Sequence, residues 1–323
     1  MKQHLFLSQK IKDKILLNRI YSNSLILLII LSAIWGSAFI AIKISLLSFN
    51  PITVASLRLI IASFFLLIFF YYQNYKINFT TGNVASLLLV GIIGNFIPFF
   101  LISWAEQYIQ SNIAGLLMSI GPIMTLILAH FFTKDDKFTL IKLVSIVIGF
   151  VGTLFIIDFK SFFYITEGSG ISLIAKLAVI IAALGYMISN IIAYNKLKNI
   201  NTVSITTFAT LFGAIVSIPF MLYFELANPS SINFSSINSS SFISLIYLGL
   251  FPTAIAFQFR YYITKKSGPI FLSYVAYLIP GFAILWGYLI LGEKVALNSI
   301  LGILLVLIGV YVGQKKLMNK EAN

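Results

Sequence analysis

The sequence predicts an all-α membrane protein of ten transmembrane helices arranged as two inverted five-helix repeats. Three observations predict it. Apolar runs of about 20 residues, the length that crosses a hydrocarbon core of about 30 Å, recur along all 323 residues. Hydrophobic residues make up 59% and charged residues 10% of the chain, whereas a soluble domain carries roughly 25% charged residues for its surface. Finally, residues 91–135 recur without a gap as residues 249–293. Gly91 falls on Gly249, Phe99 on Phe257, Pro122 on Pro280 and Asp135 on Glu293. Each copy reads as apolar span, short polar link, apolar span with an internal proline, and acidic exit. A repeat of this length sets the architecture before any local reading does. Helices are expected because a membrane barrel would show short segments alternating apolar and polar.

Taken in order, residues 1–23 are a basic segment, with Lys2, Lys10, Lys12, Lys14 and Arg19 around Leu7, Ile11 and Ile15. That spacing puts the apolar residues on one helical face, so the segment is expected to lie along the cytoplasmic membrane surface. It is not read as a cleaved signal peptide, because no small-residue cleavage site follows and further spans do. The first repeat covers 24–157, with spans Ser24–Lys43, Ile52–Tyr72, Val84–Ala105, Asn112–Phe132 and Leu140–Ile157. The second covers 171–313, with spans Ile171–Tyr194, Val203–Phe224, Phe242–Ile263, Ile270–Leu291 and Asn298–Gly313, before a tail at 314–323. The longest link, Ala227 to Ser241, is rich in Ser and Asn and reads as a flexible external loop; its N-x-S matches at Asn233 and Asn238 are too common a pattern to carry weight. With the N-terminus inside, 15 Lys and Arg outside the spans fall on the inner side and two, Lys160 and Lys294, on the outer. That bias obeys the positive-inside rule. It also turns the repeat over: the link Glu106–Ser111 lacks Lys and Arg and lies outside, while its counterpart Thr264–Pro269 carries Lys265 and Lys266 inside. Repeats of opposite orientation are the architecture of secondary transporters.

The formal charge of +13 is explained by loops and termini facing the cytoplasm, so no nucleic-acid partner is expected. The chain has no cysteine, which removes disulfides, thiolate metal sites and cysteine nucleophiles. It has no G-x-x-x-x-G-K-[ST] loop, no H-E-x-x-H and no pair of acids inside a span. No catalytic residue, metal site or cofactor is therefore expected, and the chain is not read as an enzyme. A membrane-embedded enzyme and a purely structural protein are the readings of other classes.

Ionisable groups inside a membrane are functional candidates by default. Lys43, Lys142 and Arg260 lie near span ends and are expected to snorkel to the interface. Lys176, roughly 7 Å into its span at 1.5 Å per residue, is left open. Arg58 lies about 10 Å along its span and shares a face with Ala55 and Ala62, where helices approach closely or line a cavity. It either holds an anionic group of a substrate or locks helices by bonding to free carbonyls. No carboxylate lies deep in a span, so the interior is electropositive. His130 reads as an interfacial histidine rather than a proton carrier. The candidate substrate-binding residues are Trp35, Arg58, Asn95, Trp104, Tyr186, Asn190, Gln258 and Tyr277, with Tyr186 and Asn190 one turn apart on a face. Pro122 and Pro280, at matching positions of the fourth and ninth spans, free carbonyls and kink their helices; they are candidate gate hinges, with plain packing the alternative.

Several of these residues resemble a known family. W-G-S-x-F from Trp35 to Phe39, Pro51 with Arg58 in the second span, and W-A-E-Q-Y from Trp104 to Tyr108 are similar to the EamA-type branch of the drug/metabolite transporter superfamily. So is an acid thirteen residues after the span-four and span-nine prolines. The resemblance covers residues 24 to 313. One departure is K-D-D-K from Lys134 to Lys137, where the family has a Glu, so either Asp135 or Asp136 takes that place. The resemblance implies ten helices around a central cavity, both termini cytoplasmic in a bacterial inner membrane, and movement of small polar metabolites. The chain is thus expected to be a secondary transporter working by alternating access, an exporter of amino acids or related compounds. Import or exchange of a charged, nucleotide-like metabolite is the alternative. The expected partners are the metabolite and the lipid bilayer, and the chain is compatible with a homodimer.

Overall fold

The computed structural model describes residues 24–157, 170–227, 238–291 and 297–321. The basic N-terminal segment, most of the Ser/Asn-rich link, and Asp158, Lys160, Glu293 and Lys294 lie outside the described residues. Among those described, the first half contains α1 (Ser24–Ser45), α2 (Pro51–Tyr72), α3 (Thr81–Ala105), α4 in two pieces (Ser111–Met118 and Gly121–Phe132) and α5 (Leu140–Ile157). The second contains α6 (Gly170–Lys196), α7 (Thr202–Ala227), α8 (Ser239–Ser273), α9 (Val275–Leu291) and α10 (Leu297–Glu321). All ten are apolar helices, and five crossings per half, an odd number, start the second half from the opposite side to the first. The face carrying Glu106, after α3, and the face carrying Asp136, after α4, are the two ends of the molecule.

Helices α3 and α8 repeat the same irregularity. Each passes through a π-helical stretch, Ile92–Phe96 in α3 and Gly249–Ile255 in α8, over the positions that the sequence repeat aligns. Prolines are the local cause. Pro98 has no N–H to return to the Gly94 carbonyl four residues back, and Pro252 cannot donate to the Leu248 carbonyl. Thr253 substitutes for the second, its hydroxyl donating to Leu248 O at 2.7 Å. A widened turn of this kind is typical of functional positions in helices.

Glycines set how closely the halves approach. A Cβ on Gly91 would stand 2.3 Å from the Ala209 carbonyl of α7, and one on its counterpart Gly249 would stand 2.6 Å from Ile61 of α2. Each half's third helix is thereby pressed on the other half's second. Helices α5 and α10 cross at bare backbone: a Cβ on Gly152 would meet Gly302 O at 2.8 Å, one on Gly302 would meet Gly152 O at 2.5 Å, and one on Gly309 would meet Ser145 O at 2.8 Å. In lipid, where apolar burial gives helices little reason to associate, this close backbone packing is the main attraction.

The K-D-D-K stretch lies just past the other end of α4. Asp136 pairs with Lys142 at 2.6 Å and accepts the Ile270 N–H at 2.9 Å. Lys142 thus reaches back from the start of α5 to the link before it, where it also donates to Lys137 O at 2.8 Å. The Ile270 bond sits at the sharp bend of Gly268, whose φ of 86° is a left-handed conformation that glycine adopts without penalty. The same end is fastened by Ser267 Oγ donating to Ser24 Oγ at 2.7 Å and by Ser145 Oγ and Tyr274 Oη at 2.6 Å. The Asp136–Ile270, Ser267–Ser24 and Ser145–Tyr274 contacts each join the first half to the second.

At the opposite end Glu106, one residue past α3, is 5% exposed, and neither of its carboxylate oxygens meets a donor at bonding geometry. Burial pushes this carboxyl up to about 8, against smaller opposing effects of the Lys43 charge and the Ser111 hydroxyl. A carboxyl raised in the folded state stabilises the fold below its unfolded value, and that contribution is lost as pH rises through about 8. Glu106→Gln stays neutral, so the melting temperature of purified Glu106→Gln relative to the parent should climb between pH 5 and pH 8.5; a constant difference would contradict the assignment. Gly302→Leu should lower the melting temperature by several degrees, from about 1–3 kcal/mol of overpacking. Gly82→Leu is the control and should leave it unchanged, since a Cβ there meets nothing within 4 Å.

Candidate functional site: a central cavity between the halves

The halves enclose a cavity of about 100 Å³. Helices α1, α2, α3 and α4 of the first half and α6, α8 and α9 of the second contribute to its lining. Ile42 and Ile102, near the ends of α1 and α3, carry the lining towards the Glu106 end, and Ser273 and Val275 flank the junction of α8 and α9. Towards the Asp136 end, Tyr274 and Tyr277 fill the space and are 1% and 0% exposed.

Trp35 forms one wall. Its indole N–H donates to the Pro252 carbonyl in the π-helical stretch of α8 at 2.9 Å. Its ring stacks on Tyr186 with centroids 6.5 Å apart and planes 27° apart, and meets Phe257 edge-on. The position aligned with Pro252 in the first repeat is Gly94, and its carbonyl also receives a donor from the opposite half. Arg260 Nη1 donates to Gly94 O at 3.1 Å.

Two arginines face this cavity and are used differently. Arg260 is fully buried. Its Nε donates to Asn190 Oδ1 at 2.8 Å, and Nη2 to Ser189 Oγ at 2.6 Å and to Tyr186 O at 3.4 Å. Tyr186, Phe257 and Tyr261 surround its guanidinium at about 5 Å. It is a clamp between α3, α6 and α8, and Gly94 has no side chain because a Cβ there would stand 2.3 Å from Ser189 Oγ. Arg58 lies 3.6 Å above the ring of Phe99, a cation–π contact. Its Nε donates to Thr253 Oγ1 at 3.1 Å, while its two terminal nitrogens make no hydrogen bond to any described residue. Neither guanidinium is paired with a carboxylate among the described residues, and no Asp or Glu lines the cavity.

Of the residues singled out in the sequence, Trp35, Arg58, Tyr186 and Asn190 meet in the cavity lining. Asn95, Trp104, Gln258 and Tyr277 lie elsewhere. Asn95 is fully buried in the π-helical stretch of α3 with neither side-chain atom bonded, and Gln258 Nε2 is likewise without a partner. Trp104 packs on Tyr108 at 5.1 Å, and Tyr277 presses its ring on the bare backbone of Gly149. Pro122 marks the break between the two pieces of α4, whereas Pro280 lies inside a continuous α9. His130 is exposed and Lys176 is 4% exposed.

Arg260 corrects a sequence expectation. It does not snorkel, because α8 continues to its bend at Gly268, beyond the expected end at Ile263, which leaves the arginine deeper than the span ends implied. A signal existed: Pro98 guarantees a carbonyl without its helical donor at Gly94, and a buried donor must come from somewhere. Thr125, Met187 and Ser273 also join the lining, from positions with no distinguishing pattern.

Comparison with known proteins supports this architecture. A solved crystal structure superposes with a TM-score of 0.68 at 16% identity, covering 90% of this chain and 96% of that one. An uncharacterized transporter of Archaeoglobus fulgidus is 28% identical, covering 87% of this chain and 95% of that protein. The uncharacterized transporter YoaV of Bacillus subtilis is 24% identical over 88% and 94%, and protein PagO of Salmonella typhimurium is 24% identical over 89% and 91%. The EamA-like transporter family model matches twice, over residues 23–158 and 169–312. The chain, a multi-pass membrane transporter by fold and by kinship, belongs to the EamA-like transporter family.

Proposed function

We propose that this transporter is a secondary carrier of a small polar metabolite bearing an anionic group, and that it works by alternating access. The observation that carries the reading is Arg58: a buried guanidinium, facing a cavity, with two terminal nitrogens that no described residue uses. An unpaired buried cation is costly, and a planar fork of donors matches a carboxylate. The two readings of Arg58 left open by its sequence position are thus both supported in part, its Nε serving the helices and its terminal nitrogens the ligand. Inverted halves with a site between them suit a rocking exchange of access. In that cycle the fastenings at the Asp136 end, among them Asp136 to Ile270 and Ser145 to Tyr274, break when the cavity turns to that side. The direction we favour is export from the cytoplasm, of a compound related to amino acids in size and in its carboxylate, with both termini cytoplasmic.

Proteoliposomes holding the purified chain and a panel of labelled metabolites test this directly. Arg58→Gln should reduce flux of the transported compound by roughly tenfold or more, the scale of one charge-assisted hydrogen-bond pair, with a melting temperature near that of the parent. Arg260→Gln should instead lower the melting temperature and the folded yield, because it orphans Gly94 O, Asn190 and Ser189 together. Flux unaffected by Arg58→Gln, or no flux across the whole panel, would overturn the reading.

A further inference from the structure

We infer that the cavity is built for a monocarboxylate with a flat or branched apolar body and no ammonium group. This rests on the transporter reading above and narrows its substrate class. Free donors come first. Arg260 is committed to Gly94, Asn190, Ser189 and Tyr186, so of the two guanidinium groups Arg58 alone has both terminal nitrogens unbonded. One such fork matches the two oxygens of one carboxylate. A phosphate monoester, with a second negative charge and a third oxygen, would leave part of its charge buried without a donor.

Charge comes second. An amino acid would carry an ammonium into a chamber that already holds two guanidinium groups. Among the described residues no Asp or Glu lines that chamber, and the carbonyl oxygen of Asn190 already accepts from Arg260. Thr125 Oγ1 is buried there without a partner, but a neutral hydroxyl does not offset a cation in low dielectric. A third positive charge would be repelled rather than held. The wall comes third. Trp35, Phe39, Phe99 and Tyr186 supply aromatic faces, and Met118 and Met187 supply adaptable thioether side chains. These surfaces suit an aryl or branched alkyl body attached to the carboxylate, the chemistry of 2-oxo acids and of arylalkanoic acids.

The test uses matched pairs that differ by the amino group: 3-phenylpropanoate with phenylalanine, and 4-methylpentanoate with leucine, alongside phenethylamine and phenyl phosphate. Flux in proteoliposomes and thermal stabilisation of the purified full chain are the readouts. In at least one pair the plain carboxylate should act at a concentration at least tenfold lower than its amino acid. Phenethylamine should be inert, phenyl phosphate weaker than 3-phenylpropanoate, and the preference should vanish in Arg58→Gln. Amino acids acting as well as or better than the plain acids would overturn this inference while leaving the Arg58-dependent carrier intact. Silence of every compound here would overturn it too, and the wider metabolite panel would then decide whether the carrier reading falls with it.

Discussion

The structure depends on an exchange of hydrogen-bond donors between its halves. In hydrocarbon a carbonyl that loses its helical partner has no water to turn to. Pro98 deprives Gly94 O of its ordinary donor, and the π-helical widening of α8 exposes Pro252 O at the aligned position. Each is met by a side chain from the other half, Gly94 O by Arg260 and Pro252 O by Trp35. Neither half could bury its third helix alone with those groups satisfied. The two donors, Arg260 and Trp35, both line the cavity, so what joins the halves also helps to build the chamber between them.

That arrangement divides the labour of two arginines that look alike in the sequence. Both lie in apolar helices, both are buried and both stack on aromatic rings. Arg260 is surrounded by acceptors belonging to α3 and α6 and becomes part of the frame. Arg58 meets one hydroxyl and one aromatic face, and its remaining donors meet no acceptor among the described residues. A cavity with excess positive charge and no carboxylate is the consequence, and it connects the packing of the bundle to the kind of molecule the bundle can hold.

The contacts between halves also differ in kind along the molecule. Helices α5 and α10 touch through glycine backbone, which tolerates little separation before its dispersion contacts are lost. The Asp136 end is held by a few directional bonds, Asp136 to Ile270, Ser267 to Ser24 and Ser145 to Tyr274, which break and reform at small cost. A frame of tight glycine crossings with a breakable closure at one end is compatible with the proposed rocking cycle.

By itself the sequence determined the ten spans, the odd number of crossings that inverts the second half, the aligned Gly91 and Gly249 of α3 and α8, and the aligned Pro122 and Pro280 of α4 and α9. These follow from run length, from the asymmetry of Lys and Arg and from the missing N–H of proline, all local properties. It also singled out Trp35, Arg58, Tyr186 and Asn190, because polar or charged groups inside apolar spans are rare enough to stand out. Tertiary structure alone decided that Arg260 is a clamp, that Asp136 rather than Asp135 takes the ion pair, and that Asn95, Gln258 and Tyr277 stand outside the cavity. The reason is physical: helical periodicity gives depth and face, but which acceptor a buried donor meets depends on a second helix that is distant in sequence.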